Sequence, residues 1–94
     1  MKLPVICGDY VRNGLRYVQV QPCGVCSQQI VIILNGDVIE KVSYYGGCMG
    51  NAQGIAALVK GMKVEDVIQR LEGIDCGGKM TSCPDQLAQA LKML

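Results

Sequence analysis

Apolar residues change period along the chain. From Leu15 to Tyr45 they fall in short, β-branched runs, and from Ala52 onward they recur three and four positions apart. Leu15 to Val20 reads as a strand that Pro22 ends, and Gln29 to Leu34 and Val38 to Tyr45 read as two more. Asn35-Gly36 between the latter pair is a hairpin signal, because both residues tolerate the positive φ of a type I′ turn. Pairing across it would put Ile30, Ile32, Leu34 and Ile39 on one face and Val31, Ile33, Val38 and Val42 on the other. Both faces are partly apolar. Helices are expected over one, leaving the other as a surface for self-association or for the N-terminal segment.

The second half predicts three helices. Asn51 is the expected N-cap of the first, which runs to Lys60 with Ala52, Ile55, Ala56 and Val59 inward. Gly54 within it costs about 1 kcal/mol relative to Ala, which implies a close backbone approach. Val64, Val67, Ile68 and Leu71 mark the second helix, between Gly61 and Gly73, with Glu65 and Asp66 at its favourable end. The third starts at Ser82 or Cys83, with Pro84 at or near its first position, and buries Leu87, Ala90, Leu91 and Leu94. Residues 1–14 form an extension in which Leu3 to Ile6 reads as a short strand, with turn signals at Gly8-Asp9 and Asn13-Gly14. Strands followed by helices predict one α+β domain over residues 1–94: a three-stranded antiparallel meander with three helices packed on one face.

Composition narrows the function. The chain of 94 residues has neither Phe nor Trp, so its core is aliphatic. A net charge of +1 without a basic stripe argues against a nucleic-acid partner. No apolar run approaches the ~20 residues that span a bilayer. The opening MKLPVICGDY lacks the apolar stretch of a secretory signal, and a cytoplasmic location is expected.

In that reducing compartment six cysteines point to metal ligation or thiol chemistry rather than a disulfide framework. Histidine is absent, which excludes Ser-His and Cys-His pairs and makes any transition-metal site thiolate-rich. The meander would gather the thiols. The first strand ends near Cys23 and the second begins after Cys26; the third ends before Cys48. The second helix runs back to Cys76 and the third leaves from Cys83. Five cysteines therefore converge at one sheet edge, while Cys7 reads as a small buried hydrophobe. Helix starts at Cys48 and Cys83, and the cation Lys79, favour thiolates there. Four such groups would bind zinc or an iron–sulphur cluster, and Cys23-x-x-Cys26 would serve as a redox dithiol. Gly73 to Lys79 imitates a phosphate loop, but it follows a helix and Met80 stands where Ser or Thr would bind magnesium.

Thr81-Ser82-Cys83-Pro84-Asp85, with GVCS at Cys26, GGCMGNAQGIAALVKGM at Cys48 and IDCGGKMTSCPDQLAQAL at Cys76 and Cys83, resembles the four-cysteine branch of the TSCPD-domain family over Leu15 to Leu94. The resemblance implies metal ligands at Cys26, Cys48, Cys76 and Cys83, with Cys23 an alternative to Cys26. It also implies kinship with the C-terminal domain of cobalamin-dependent ribonucleotide reductases, hence a reductase or redox protein as partner. The chain lacks the large barrel that would carry nucleotide reduction, so its role there would be accessory. More distantly the order of elements is similar to NifU-like iron–sulphur scaffold proteins, with Cys23, Cys48 and Cys83 in the ligand positions and no histidine before the last.

Overall fold

The computed structural model describes residues 3–24, 28–46, 49–74 and 81–94. Four strands precede three helices: β1 (Val5–Arg12), β2 (Leu15–Gln21), β3 (Gln29–Asn35), β4 (Val38–Tyr45), α1 (Met49–Val59), α2 (Val64–Leu71) and α3 (Cys83–Lys92). The sheet order is β1-β2-β3-β4, with each neighbouring pair antiparallel. The α+β meander is as expected, but it has four strands rather than three. What read as a short strand and a turn at Gly8-Asp9 is one eight-residue strand, β1, with a bulge between Ile6 and Gly8. Gly8 serves a close approach, not a reversal: a Cβ there would lie 2.9 Å from Oε1 of Gln19. Asp9 is tied to Arg16 across the pair, Nε donating at 2.8 Å.

The two hairpins turn differently. Asn13 and Gly14 have φ of 55° and 80°, the paired positive values of a type I′ turn. In the second hairpin Asn35 pairs with Val38, so the loop is Gly36-Asp37 and only Gly36 has a positive φ, 64°. That is the type II′ pattern, in place of the I′ turn expected at Asn35-Gly36. A further bulge sets Ile33 opposite Lys41 and Leu34 opposite Ile39, leaving Glu40 as the extra residue. The extra residue reverses the alternation, so Val42 joins Ile39 on the inner face instead of lying opposite it.

Val18, Val20, Ile30, Ile32, Leu34, Ile39 and Val42 form that inner face and pack in one cluster with Val59, Val67, Leu87, Ala90 and Leu91 from the three helices. Ala52 and Val59 are buried on α1, with Ile55 and Ala56 partly so, which is the expected stripe. Two expectations for this helix fail. It begins at Met49, so Asn51 lies inside it rather than capping it. A Cβ on Gly54 would meet nothing within 4 Å, so this glycine admits no close neighbour. Between α1 and α2 the linker docks on the start of β4: Ile39 N donates to Met62 O, and Gly61 N donates to Ile39 O, both at 2.8 Å. Helix α3 lies deepest. Every residue from Cys83 to Leu91 is buried, including Asp85, Gln86 and Gln89, while Leu94 beyond it is half-buried.

Candidate functional site

A polar interior is assembled at the end of the sheet where β2 stops, β3 starts and β4 stops. Ser82, in extended conformation, caps α3 by accepting a hydrogen bond from Asp85 N at 3.1 Å, and Pro84 occupies the first turn, where no N–H is required. Asp85 Oδ1 accepts from Gly73 N at 2.8 Å and from Gln89 Nε2 at 3.1 Å, while Oδ2 accepts from the Thr81 hydroxyl at 2.7 Å. The same Thr81 oxygen accepts from Gln86 Nε2 at 2.8 Å, and Gln86 Oε1 accepts from Cys23 N at 2.8 Å. From β4 the Tyr44 hydroxyl donates to the Cys83 carbonyl at 3.1 Å. Among the described residues no buried side-chain polar atom lacks a partner.

Electrostatics follow from these contacts. Burial works to raise the Asp85 carboxyl, but the Gly73 amide, the Thr81 and Gln89 side chains and the Lys92 charge outweigh it and hold the group below its ordinary value. For Tyr44, burial drives the phenol far above its ordinary value and the Cys83 charge acts in the same direction. Tyr44 is therefore a neutral donor at physiological pH.

Cys83 is buried at the first turn of α3, and Cys23 is exposed with its backbone anchored to Gln86. Cys7 is also exposed, on β1, its sulphur 3.7 Å from Val5 O; it is not the buried hydrophobe expected. Cys26, Cys48, Cys76 and Lys79 lie outside the described residues. Among the described residues no cluster of three or more His, Cys, Asp or Glu side chains could hold a metal. The segments that flank the cysteines do meet. Gln28 N donates to Tyr45 O at 2.7 Å, and a Cβ on Gly46, whose φ is 78°, would sit 3.0 Å from Gln28 Cγ. The residues after Cys26 and those before Cys48 are thus in contact, while Gly73, ahead of Cys76, is bound to Asp85, just after Cys83.

Gln86, Thr81, Asp85 and Tyr44 organise this end, and sequence reasoning passed over all four as organisers. One signal was present: Ser82 followed by Asp85 three residues later is an N-cap pattern. A groove of about 500 Å³ lies between Asp37, Lys63, Glu65, Ile68 and Leu91, and none of its described lining residues is a cysteine. No helix among the described residues is long and apolar enough to cross a membrane.

No curated protein and no solved structure matches the chain. A family model does, that of the TSCPD domain, over residues 10–94. That span takes in all the helices, three whole strands and the Thr-Ser-Cys-Pro-Asp segment whose side chains knit the polar interior, and the chain belongs to the TSCPD-domain family.

Proposed function

We propose that the protein is a small cysteine-cluster domain that binds a metal through thiolates and acts as an accessory to, or relative of, ribonucleoside-diphosphate reductase. One observation carries this reading: the described segments flanking five cysteines are joined by direct hydrogen bonds at one end of the sheet, Gln28 to Tyr45, Cys23 to Gln86 and Gly73 to Asp85. Burial of Asp85, Gln86 and Thr81 is costly unless each is satisfied, and a fully satisfied network of this kind rigidifies what it holds. Here it holds loops, which suits a site whose ligands come from separate segments.

The donor chemistry fits a metal that prefers sulphur. Cys26, Cys48, Cys76 and Cys83 would hold it, with Cys23 an alternative to Cys26, and histidine is absent from the chain. Zinc would supply structural closure, and an iron–sulphur cluster would supply electron transfer or a cluster for delivery. Tyr44 fixes the Cys83 carbonyl, and Ser82 fixes the start of α3. The reductase association rests on family kinship, and the partner would be a reductase or redox protein in the cytoplasm.

Metal analysis and a visible spectrum of anaerobically purified protein test the reading. Stoichiometric, colourless zinc supports an accessory or structural site. A labile brown chromophore supports the second reading, an iron–sulphur scaffold or carrier. Protein without metal whose thiols pair readily would replace the metal site by a dithiol. Cys7→Ser should leave the metal content unchanged.

A further inference from the structure

The sheet has two edges, and they are finished differently. On β4 the linker between the first two helices bonds to Ile39, Lys63 bridges Val38, and α1 packs alongside. On β1 none of the described elements lies outside the strand. Natural edge strands are blunted by brevity, proline, bulges or exposed charge. Strand β1 is eight residues long without proline, its one acid is neutralised by Arg16, and its bulge and its exposed base, Arg12, stand at opposite ends of the strand. Leu3, Val5, Tyr10 and Val11 are exposed large apolar residues gathered on this edge, Val11 to 71 %.

The first hairpin sets the backbone phase of that edge. Arg12 pairs with Leu15 across the two-residue turn, so these two exchange hydrogen bonds, and alternation gives the next such pair as Tyr10 and Tyr17. Asp9 and Val11 therefore turn their N–H and C=O groups away from β2, toward solvent. Such a row is a template on which another strand can pair. The bulge at Ile6 and Gly8 breaks the row, which confines regular pairing to Gly8 through Arg12.

We infer that β1 pairs antiparallel with β1 of a second copy, about a two-fold axis at Tyr10, to make one continuous eight-stranded sheet. Length and charge select this register, because an axis on Val11 would pair only Tyr10 through Arg12 of the regular stretch. Centring the axis on Asp9 would set two carboxylates opposite each other. Centring it on Tyr10 sets Asp9 opposite Val11 of the second copy, on the face that carries Arg16, so the acidic end of each edge meets the basic end of the other. The aromatic rings agree. Tyr10 stacks on Tyr17 with centroids 5.2 Å apart and planes 7° from parallel. The Tyr10-centred register brings Tyr10 against Tyr10 of the second copy as a pair that exchanges no backbone hydrogen bonds, where side chains lie closest, and extends the stack to four rings. This surface is the sheet's edge, not its outer face, and it owes nothing to the cysteines.

Sedimentation and cross-linking test it. Wild-type protein should dimerise as concentration rises into the millimolar range. Val11→Pro removes a donor that faces the edge and none that faces β2, and it should weaken the dimer about 100-fold. Val11→Glu, which leaves the backbone intact and sets a carboxylate opposite Asp9 of the second copy, should also dissociate it, so a folding defect in the proline variant does not decide the matter. In a Cys7→Ser background, Tyr10→Cys should form an intermolecular disulfide, identified by peptide mapping, and Val11→Cys should not. A protein that stays monomeric at millimolar concentration, or one that cross-links through position 11 and not 10, overturns the proposal.

Discussion

The protein has two interiors. One lies between the sheet and the helices and is aliphatic at its centre: Val18, Val20, Ile30, Ile32, Val67 and Leu87 are fully buried in one cluster. The other surrounds the first turns of α3 and is made of Thr81, Ser82, Asp85, Gln86 and Gln89. Both are buried, but they constrain different things. Hydrophobic contact is non-directional and rewards volume, so it fixes that the layers pack. Hydrogen bonds are directional, so they fix where a loop stops relative to another. The aliphatic interior makes the fold, and the polar interior positions the segments that carry the cysteines.

Removing volume from the aliphatic side should produce the largest effect. Leu87 is fully buried on α3, facing the sheet. Leu87→Ala should cost about 2–5 kcal/mol in denaturant unfolding, from lost transfer energy plus the cavity left behind. The metal content of the protein that remains folded should match wild type, because none of the bonds to Cys23, Gly73 or Thr81 involves this side chain. Equal loss of metal and stability would merge the two interiors into one.

Sequence reading reached these interiors unequally. The aliphatic side was legible because it obeys periods: Ile30, Ile32 and Leu34 alternate, while Val64, Val67, Ile68 and Leu71 step by three and four. It failed where one residue breaks a period. The bulge at Glu40 moved Val42 across the sheet, and the bulge before Gly8 concealed the continuation of β1 behind a turn signal. The convergence of loop ends was legible from short antiparallel connections alone. The ties between them were not, because Gln86 reaching from α3 to Cys23 spans 63 positions and leaves no local pattern. A helix buried on all sides also defeats the reading of polar residues as solvent-facing, which is why Gln86 and Gln89 gave no signal.

A smaller effect on stability, but a larger one on the site, is expected from Gln86→Leu. The substitution keeps volume and loses the bonds to Cys23 and Thr81, leaving Cys23 N without this acceptor and the Thr81 oxygen without this donor. Stability should fall by about 1–3 kcal/mol, the cost of stranding buried polar groups. Metal affinity should fall with it, measured by competition with a chelator, since the loop bearing Cys23 and Cys26 is no longer held to α3. Gln86→Glu supplies the control: it keeps the acceptor for Cys23 N and removes the donor to Thr81, so it should retain more of the affinity than leucine does.

The smallest effect should come from the cap. Ser82→Ala deletes one acceptor, that of Asp85 N, and an N-cap serine is worth about 1 kcal/mol. The interest lies in what this loss does next. Asp85 keeps its bonds from Gly73, Thr81 and Gln89 through its carboxylate, so the side chain still spans the segments on either side of positions 75–80. If the polar interior acts through those side-chain bonds, Ser82→Ala lowers the unfolding free energy while metal affinity stays within about 2-fold of wild type, well short of the change that a lost 1.4 kcal/mol would produce. If instead the start of α3 is what presents Cys83, the same substitution weakens metal binding as much as it weakens the fold. Comparing the two losses in one variant separates a helix that offers a ligand from a carboxylate that gathers the loops around it.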